Sequence, residues 1–312
     1  MKTILVSGAS GILGYGILKS LKRSYNLYKL IGTSIYDDSI APVFCDIFEK
    51  AVRTDSDGYM DWLMGVIEKH KVDMIIPGIE CDMYEWNKHR NVLNRITFPL
   101  LNNKNLIDIC SDKWKFYQKL INENEQYAIL TDIRCLHNPF VKLPVLLKPR
   151  HGFGSQGIIK IKTLEEYDNH KWDIKYDGLM VQPIIKGDEY TVSAFYDCES
   201  NLIDYIAFKR KLSKLGWTEV AEVSDIDCNE MLLDLAETFK PLGPTNFQFR
   251  VNNGIKLLEI NPRISASTSI RAILGYNEAV MSVEYFLNGI MPKKSLKPIN
   301  KRAIRYTEDY IF

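Results

Sequence analysis

Residues 245–261 constrain the fold more than any other stretch of this 312-residue chain, because their strand register can be counted from the residues alone. Asn253-Gly254 reads as a two-residue type I′ turn, in which both central residues take positive φ and the flanking strands keep their twist. Counting back from that turn sets Asn252 opposite Ile255, Phe249 opposite Leu258, Gln248 opposite Glu259 and Asn246 opposite Asn261. Facing partners share a side of the sheet, so Phe247, Phe249, Leu258 and Ile260 are expected to form a core face. Asn246, Gln248, Glu259 and Asn261 then converge on the other face. Oxygen donors without His or Cys suit a hard cation, and one carboxylate among amides suits a Mg²⁺ that also takes phosphate oxygens from a substrate. A solvated polar face would show the same alternation. Arg263, just past Pro262, argues against a passive surface, since a guanidinium there can hold a phosphate or carboxylate by two points.

The chain around this hairpin has two textures. Residues 3–7 and 29–33 are apolar runs flanking a helical pattern at 12–23, a βαβ opening, and a helical stretch at 59–71 leads into a buried strand stopped at Pro77-Gly78. A parallel α/β unit is expected for residues 1–104, closed by the polar run Asn102-Asn103-Lys104-Asn105. Beyond it, a helix near 111–122 precedes strands at 145–149, 158–161, 179–183, 190–196, 203–208, 246–251 and 256–260, with helices at 164–167 and 228–239. Short turns between those strands imply an antiparallel α+β unit over residues 105–312.

Composition removes several classes of function. At 46% apolar and 25% charged the chain is globular, and 40 Lys and Arg against 39 Asp and Glu leave no global field to recruit nucleic acid or an anionic membrane. No apolar run approaches the ~20 residues of a membrane span, and Gly8, Gly11, Gly14 and Gly16 interrupt the apolar start where a signal peptide would continue. Cys45, Cys81, Cys110, Cys135, Cys198 and Cys228 form no metal-binding or disulfide pattern and read as reduced thiols of a cytoplasmic protein.

Two glycine loops carry competing chemistry. Gly8-Ala9-Ser10-Gly11-Ile12-Leu13-Gly14 ends a strand and opens a helix, the setting of a dinucleotide pyrophosphate or of a bare tight turn. Its spacing resembles short-chain dehydrogenases and nucleotide-sugar epimerases, which would imply an NAD(P)-dependent enzyme. That family's Tyr-x-x-x-Lys pair has two matches, Tyr25 with Lys29 and Tyr205 with Lys209, both misplaced along the chain. The second loop, residues 148–158, lies between strands and is no Walker A loop, because no Lys-Ser or Lys-Thr directly follows its last glycine. Its Gly152, Gly154, Ser155 and Gly157 read as a hairpin flap able to cover phosphates. Lys113, early in a helix, and Lys148, closing an apolar strand that leaves its ammonium in need of an anion, are placed to reach phosphate oxygens.

Four motifs taken in order resemble the ATP-grasp superfamily, most closely carbamoyl-phosphate synthase large subunits, biotin carboxylase and carboxylate–amine ligases. They are Ser111-Asp112-Lys113; Leu147-Lys148-Pro149 with its glycine loop; Val181-Gln182-Pro183-Ile184-Ile185-Lys186-Gly187-Asp188-Glu189-Tyr190-Thr191-Val192; and Leu258-Glu259-Ile260-Asn261-Pro262-Arg263. The resemblance implies a Rossmann-like domain at 1–104 and an ATP-grasp domain of two α+β subdomains at 105–312, with a lid at about 122–183. It implies that Lys113 and Lys148 contact ATP phosphates, that Gln182, Pro183 and Ile184 meet adenine, and that Glu189 takes the ribose hydroxyls. Gln248, Glu259 and Asn261 would bind Mg²⁺, with Mn²⁺ as an alternative, and Arg263 would steady an acyl phosphate or its precursor. Of the basic run Lys209-Arg210-Lys211, Arg210 is taken to face the site. Two departures stand out: Pro183 where many relatives have a glutamate, and Gln248 where some have a second carboxylate.

The expectation is an ADP-forming ligase that activates a small, amino-acid-like carboxylate as an acylphosphate for attack by an amine. A small-molecule kinase on the same fold, or the dehydrogenase noted above, is the alternative. His151 is the one candidate base, and Glu80, Asp82 and Glu85 are candidates to meet an ammonium in a pocket completed by residues 265–269. Small molecules are the expected partners, with no nucleic acid and no membrane, and a homo-oligomer is compatible with the sequence.

Overall fold

The computed structural model describes residues 1–24, 27–133, 143–152, 157–169, 178–213 and 216–311. The chain opens on a parallel sheet of β1 (Lys2–Val6), β2 (Tyr28–Ser34), β3 (Ile47–Lys50), β4 (Met74–Ile76) and β5 (Phe98–Pro99), in the order β3-β2-β1-β4-β5. Helices α1 (Ile12–Lys22), α2 (Tyr59–His70), α3 (Glu80–Lys88) and α4 (Arg90–Leu93) alternate with these strands. Helical crossovers bury both faces of a parallel sheet, and β1 divides accordingly. Ile4 and Val6 pack with Ile17 and Met74 on one side, while Leu5 packs with Ile31, Leu63 and Trp86 on the other.

The glycines between β1 and α1 are explained by backbone crowding. Gly8 has φ +57°, and a Cβ on Gly14 would stand 2.2 Å from the Gly8 carbonyl oxygen. A Cβ on Gly78, just after β4, would stand 2.0 Å from the Ser7 carbonyl oxygen. Three backbone segments therefore meet where no side chain fits.

Two antiparallel sheets follow α5 (Lys104–Cys110) and α6 (Lys113–Glu123). The smaller contains β6 (Val145–Pro149), β7 (Ile159–Ile161) and β8 (Leu179–Pro183) in the order β7-β6-β8, with α7 (Leu164–Asp168) in the β7–β8 connection. It has its own small core of Val145, Leu147, Ile161 and Val181. The larger contains β9 (Asp188–Tyr196), β10 (Leu202–Leu212), β11 (Thr218–Ser224), β12 (Gly243–Val251), β13 (Ile255–Asn261) and β14 (Arg302–Ile304), in the order β13-β12-β9-β10-β11-β14. Helix α8 (Asn229–Phe239) and α6 bury Leu232, Leu235, Phe116 and Leu120 against the core that holds Phe247 and Phe249. The architecture is thus an α/β unit with a Rossmann-type strand order followed by α+β sheets.

The polar run 102–105 is used in full. Asn103 caps α5 by accepting the Asn105 N–H at 2.9 Å, and buried Asn102 donates to Thr245 Oγ1 at 2.8 Å and accepts the Leu242 N–H at 2.9 Å. Helices α9 (Thr268–Ile273) and α10 (Glu278–Asn288) bring the chain back to the first sheet, where Ala279 and Val283 join the cluster of Ile4 and Val6.

The hairpin register holds at its functional end and slips at its tip. Asn246 faces Asn261 and Gln248 faces Glu259, but Phe249 faces Leu257 instead of Leu258. The loop spans three residues between Val251 and Ile255, with Asn253 and Gly254 at positive φ, and a bulge at Leu258 absorbs the extra residue. Leu257 therefore occupies the core position expected for Leu258, and Leu258 turns to the opposite face.

Candidate functional site

A cavity of about 640 Å³ opens where the three sheets meet, lined by Glu80 of α3, Lys148 of β6, Gln182 of β8, Arg210 of β10, Gln248 of β12 and Glu259 of β13. The volume lies inside the roughly 300–1,000 Å³ range of small-molecule sites. Its described wall carries six cations (Lys113, Lys148, Lys160, Arg210, Arg250, Arg263) against three carboxylates (Glu80, Glu189, Glu259), which favours a polyanionic occupant.

Strand alternation aims the hairpin residues into this space. Asn246, Gln248 and Arg250 project from β12, and Glu259 and Asn261 from β13. Asn261 Nδ2 donates to Glu259 Oε1 at 2.9 Å, and Arg263 Nη2 donates to Asn261 Oδ1 at 3.3 Å. The same Arg263 nitrogen bonds Glu80 Oε1 at 2.5 Å, joining the hairpin to α3. Asn246 gives its amide nitrogen to Thr191 Oγ1 and the Val192 carbonyl, leaving its buried Oδ1 with no hydrogen-bond partner.

Arg210 lies inside with Lys209 and Lys211 outside, as period two requires. Its Nη2 reaches Glu189 Oε1 at 2.8 Å and also bonds Gln248 Oε1, while Lys209 pairs with Asp188 at the surface. Glu189 is held from the other side by Arg250, whose Nη2 lies 2.8 Å from Oε2. The sequence reading missed Arg250, although the period that selects 246 and 248 continues to it.

Lys148 shares with Leu146 the face of β6 that looks into the cavity, while Val145 and Leu147 face the core, so this strand is dry on one side only. Lys148 Nζ donates to Gln182 Oε1 at 2.6 Å, and Gln182 Nε2 donates to buried Thr131 Oγ1 at 2.9 Å. Burial pushes the lysine below its usual range, partly countered by the carboxylate of Glu259. A desolvated ammonium whose direct partner is a neutral amide is suited to an incoming anion.

Lys113 begins α6, where Asp112 caps the helix by accepting the Trp114 N–H at 2.9 Å and pairs with Arg150. Lys113 Nζ donates to the Gly152 carbonyl at 2.7 Å, and both residues line the cavity. Gly157 is off the wall, and Gly154 and Ser155 lie outside the described residues, as do Cys135 and Tyr25. Pro183 and Ile184 line the end of β8, where Pro183 has no N–H and the Ile184 N–H donates to the Pro144 carbonyl at 3.2 Å. Neither residue therefore has a free backbone N–H to donate there.

Of the three candidate acids near the first sheet, only Glu80 faces the cavity. Asp82 is buried under the hydroxyls of Thr54 and Tyr59 at 2.6 and 2.8 Å, and Glu85 pairs with Lys88 at 2.8 Å off the wall. His151 is exposed, with Nδ1 on the Ser111 carbonyl, so the candidate base does not line the cavity. Ser265 and Ser267 do line it, and Ser265 Oγ accepts from Arg271, which is itself fully buried in an ion pair with Glu278. No pattern in the sequence marks that pair.

The family model described as ATP-grasp in the biosynthetic pathway with the Ter operon matches residues 175–309. No curated protein matches the chain. Among solved structures, the N5-carboxyaminoimidazole synthetase of Staphylococcus aureus complexed with ADP is similar at TM-score 0.76 and 14% identity, over 95% of this chain and 80% of that one. A biotin carboxylase–ATP complex from Campylobacter jejuni aligns at TM-score 0.71 and 16% identity, over 90% and 70% of the two chains. An L-amino acid ligase from Bacillus licheniformis aligns at TM-score 0.69 and 15% identity, over 92% and 74%. The chain has the ATP-grasp fold, preceded by a Rossmann-like parallel sheet. The fold-level likeness runs over nearly its whole length, well beyond the four motifs that suggested it.

The donor set fits a nucleotide carrying its own metal better than a free metal. Among the described residues no group of three or more His, Cys, Asp or Glu could hold a metal ion, and the hairpin offers one carboxylate, Glu259, and three amides, Asn246, Gln248 and Asn261. Such a site needs phosphate oxygens to complete a hard cation's shell. No helix among the described residues is long and apolar enough to cross a membrane.

Proposed function

We propose that this protein is an ATP-dependent, ADP-forming ligase that activates a small, amino-acid-like carboxylate as an acylphosphate for attack by an amine. The observation that carries the reading is the convergence of Lys148, Arg210, Glu259, Asn261 and Arg263, from β6, β10, β13 and the turn after β13, on one cationic cavity. MgATP, when bound, would supply the phosphoryl group that makes the carboxylate reactive. Lys113 and Lys148 would hold its phosphates, Gln248, Glu259 and Asn261 the metal, Glu189 the ribose, and Gln182, Pro183 and Ile184 the adenine edge. Arg210 and Arg263 would neutralise charge on the reacting groups. The loop bearing Gly152, Gly154, Ser155 and Gly157 would exclude water that otherwise hydrolyses the activated acid.

Glu80 and Arg263 supply opposite charges 2.5 Å apart on the substrate side of the wall, the complement of a zwitterion. An amino acid would exchange this internal pair for two intermolecular ones, Arg263 to its carboxylate and Glu80 to its ammonium. The ligase likeness at the level of fold agrees with this reading. We place the nucleotide domain at residues 105–312 with a lid at about 122–183, after a first domain at 1–104, in a cytoplasmic protein using Mg²⁺ or Mn²⁺. The dehydrogenase alternative loses its main support, because close backbone approach already accounts for Gly8, Gly14 and Gly78. A kinase would use the same residues up to the amine step.

The test is ADP release from MgATP with pooled amino acids, other carboxylates and amines, for wild type and Glu259→Ala. Pool-dependent release that disappears in the variant is expected. A rate indifferent to both the pool and the substitution would sink the reading.

A further inference from the structure

We infer that Arg250 is a nucleoside-positioning residue, fixing the carboxylate of Glu189 and the turn after β8 in one geometry. The inference rests on reading the cavity as a nucleotide site. Arg250 commits three nitrogens to two groups. Nε and Nη2 lie 3.2 and 2.8 Å from Glu189 Oε2, and Nη1 donates to the Ile185 carbonyl at 2.9 Å. Arg250 and Glu189 are direct cross-strand partners on β12 and β9, and Ile185 follows β8 by two residues. The turn between Ile185 and Glu189 is pinned to the same strand end by Gly187, where a Cβ would stand 2.0 Å from the Val251 carbonyl oxygen. One guanidinium thus ties together the two places where the base and the ribose would sit.

The other oxygen of Glu189 belongs to Arg210, which also bonds Gln248. The two arginines divide the site: Arg210 joins Glu189 to the metal and phosphate end, and Arg250 joins it to the base end. Arg250 stays one-third exposed on the cavity wall, whereas Arg210 is 9% exposed. A planar fork with three donors at fixed angles makes this double contact, and an ammonium on a flexible stem does not reproduce it.

If Arg250 works at the nucleoside end, its loss weakens ligands in proportion to their nucleoside and leaves bare polyphosphate alone. The experiment measures dissociation constants of MgATP, MgADP and inorganic tripolyphosphate by calorimetry for wild type, Arg250→Met, Arg250→Lys and Lys148→Ala, with thermal melts of each. Arg250→Met is expected to weaken MgATP and MgADP by about tenfold or more with tripolyphosphate unchanged, since a hydrogen bond to a charged group is lost. Arg250→Lys is expected to recover little of that loss, and Lys148→Ala to weaken all three ligands. Equal weakening of tripolyphosphate and MgATP in Arg250→Met, or full rescue by lysine, would show a general charge effect and overturn the inference. Unchanged nucleotide affinity overturns it as well. Failure of wild type to bind MgATP overturns the nucleotide reading itself, and is distinguished by appearing before any substitution. If Arg250→Met does not fold, Arg250→Lys alone decides between fork and charge.

Discussion

Arg263 and Glu80 stand 2.5 Å apart across the cavity wall although 183 positions separate them in the chain. Each side chain is mostly withdrawn from solvent, so an incoming zwitterion replaces a bond already made and the gain lies in selectivity between substrates. Glu80→Gln is expected to raise the KM of the amino substrate about tenfold or more while leaving the KM for ATP near wild type. Steady-state ADP release at varied amino acid and varied ATP checks this, and an equal rise in both constants would speak against a substrate role.

Gln248, proposed above to hold the metal, has its side-chain oxygen already bonded by Arg210. Free Mg²⁺ or Mn²⁺ must therefore compete with a guanidinium at a site with a single carboxylate. Mn²⁺ titrated alone, followed by its electron paramagnetic signal, is expected to bind weakly, and addition of ADP should bring it into the protein. Gln248→Glu is expected to raise affinity for the free ion. Tight binding by wild type without nucleotide would contradict this account.

Burial holds Lys148 below the usual lysine value near 10.5. Below its folded pKa the charged ammonium is a desolvation cost to the fold, relieved as pH rises through that value, because the unfolded chain then binds the extra proton. Phosphate binding runs in the opposite direction, since it needs the cation. The affinity for tripolyphosphate should fall along an alkaline limb lying below the normal lysine range, and Lys148→Arg should remove that limb.

Asp112 is buried, which raises its pKa, but Arg150 and the N–H groups at the start of α6 outweigh burial and leave the carboxyl below the usual 3.8. A depressed carboxylate contributes stability that is present above its unfolded pKa and lost as pH falls through the folded value. Asp112→Ala removes the helix cap as well, and should cost about 1–2 kcal/mol at neutral pH by denaturant unfolding. The deficit should shrink below pH 4, and a deficit independent of pH would assign it to packing alone.

Gly14→Ala places a methyl 2.2 Å from the Gly8 carbonyl oxygen, which is backbone and cannot swing aside. A loss of about 1–3 kcal/mol in unfolding free energy is expected. NADPH fluorescence should show no binding by wild type or by this variant. Saturable NADPH binding would revive a dinucleotide role for the first loop.

Much of this molecule was legible in one dimension because the signals were local. Period two placed Gln248 opposite Glu259, and the bulge at Leu258 left that pair intact because it falls nearer the turn. The same bulge was not legible, since Asn253-Gly254 serves both a two-residue and a three-residue loop, and the choice rests on packing of Leu257 against the core. Helices α3, α5, α9 and α10 escaped notice because their apolar faces are short and become decisive only in packing against distant residues, as Ala279 and Val283 of α10 do in the cluster of Ile4 and Val6.

By itself the sequence determined which side chains share a strand face and where the chain must turn. Those follow from steric rules that act within a few residues. Tertiary structure alone decided that Glu80 meets Arg263, that Glu189 lies between Arg210 and Arg250, and that Asp82, Glu85 and His151 stand outside the cavity. These relations join side chains brought together only when three sheets close around one space, and no spacing in the chain encodes a distance between sheets.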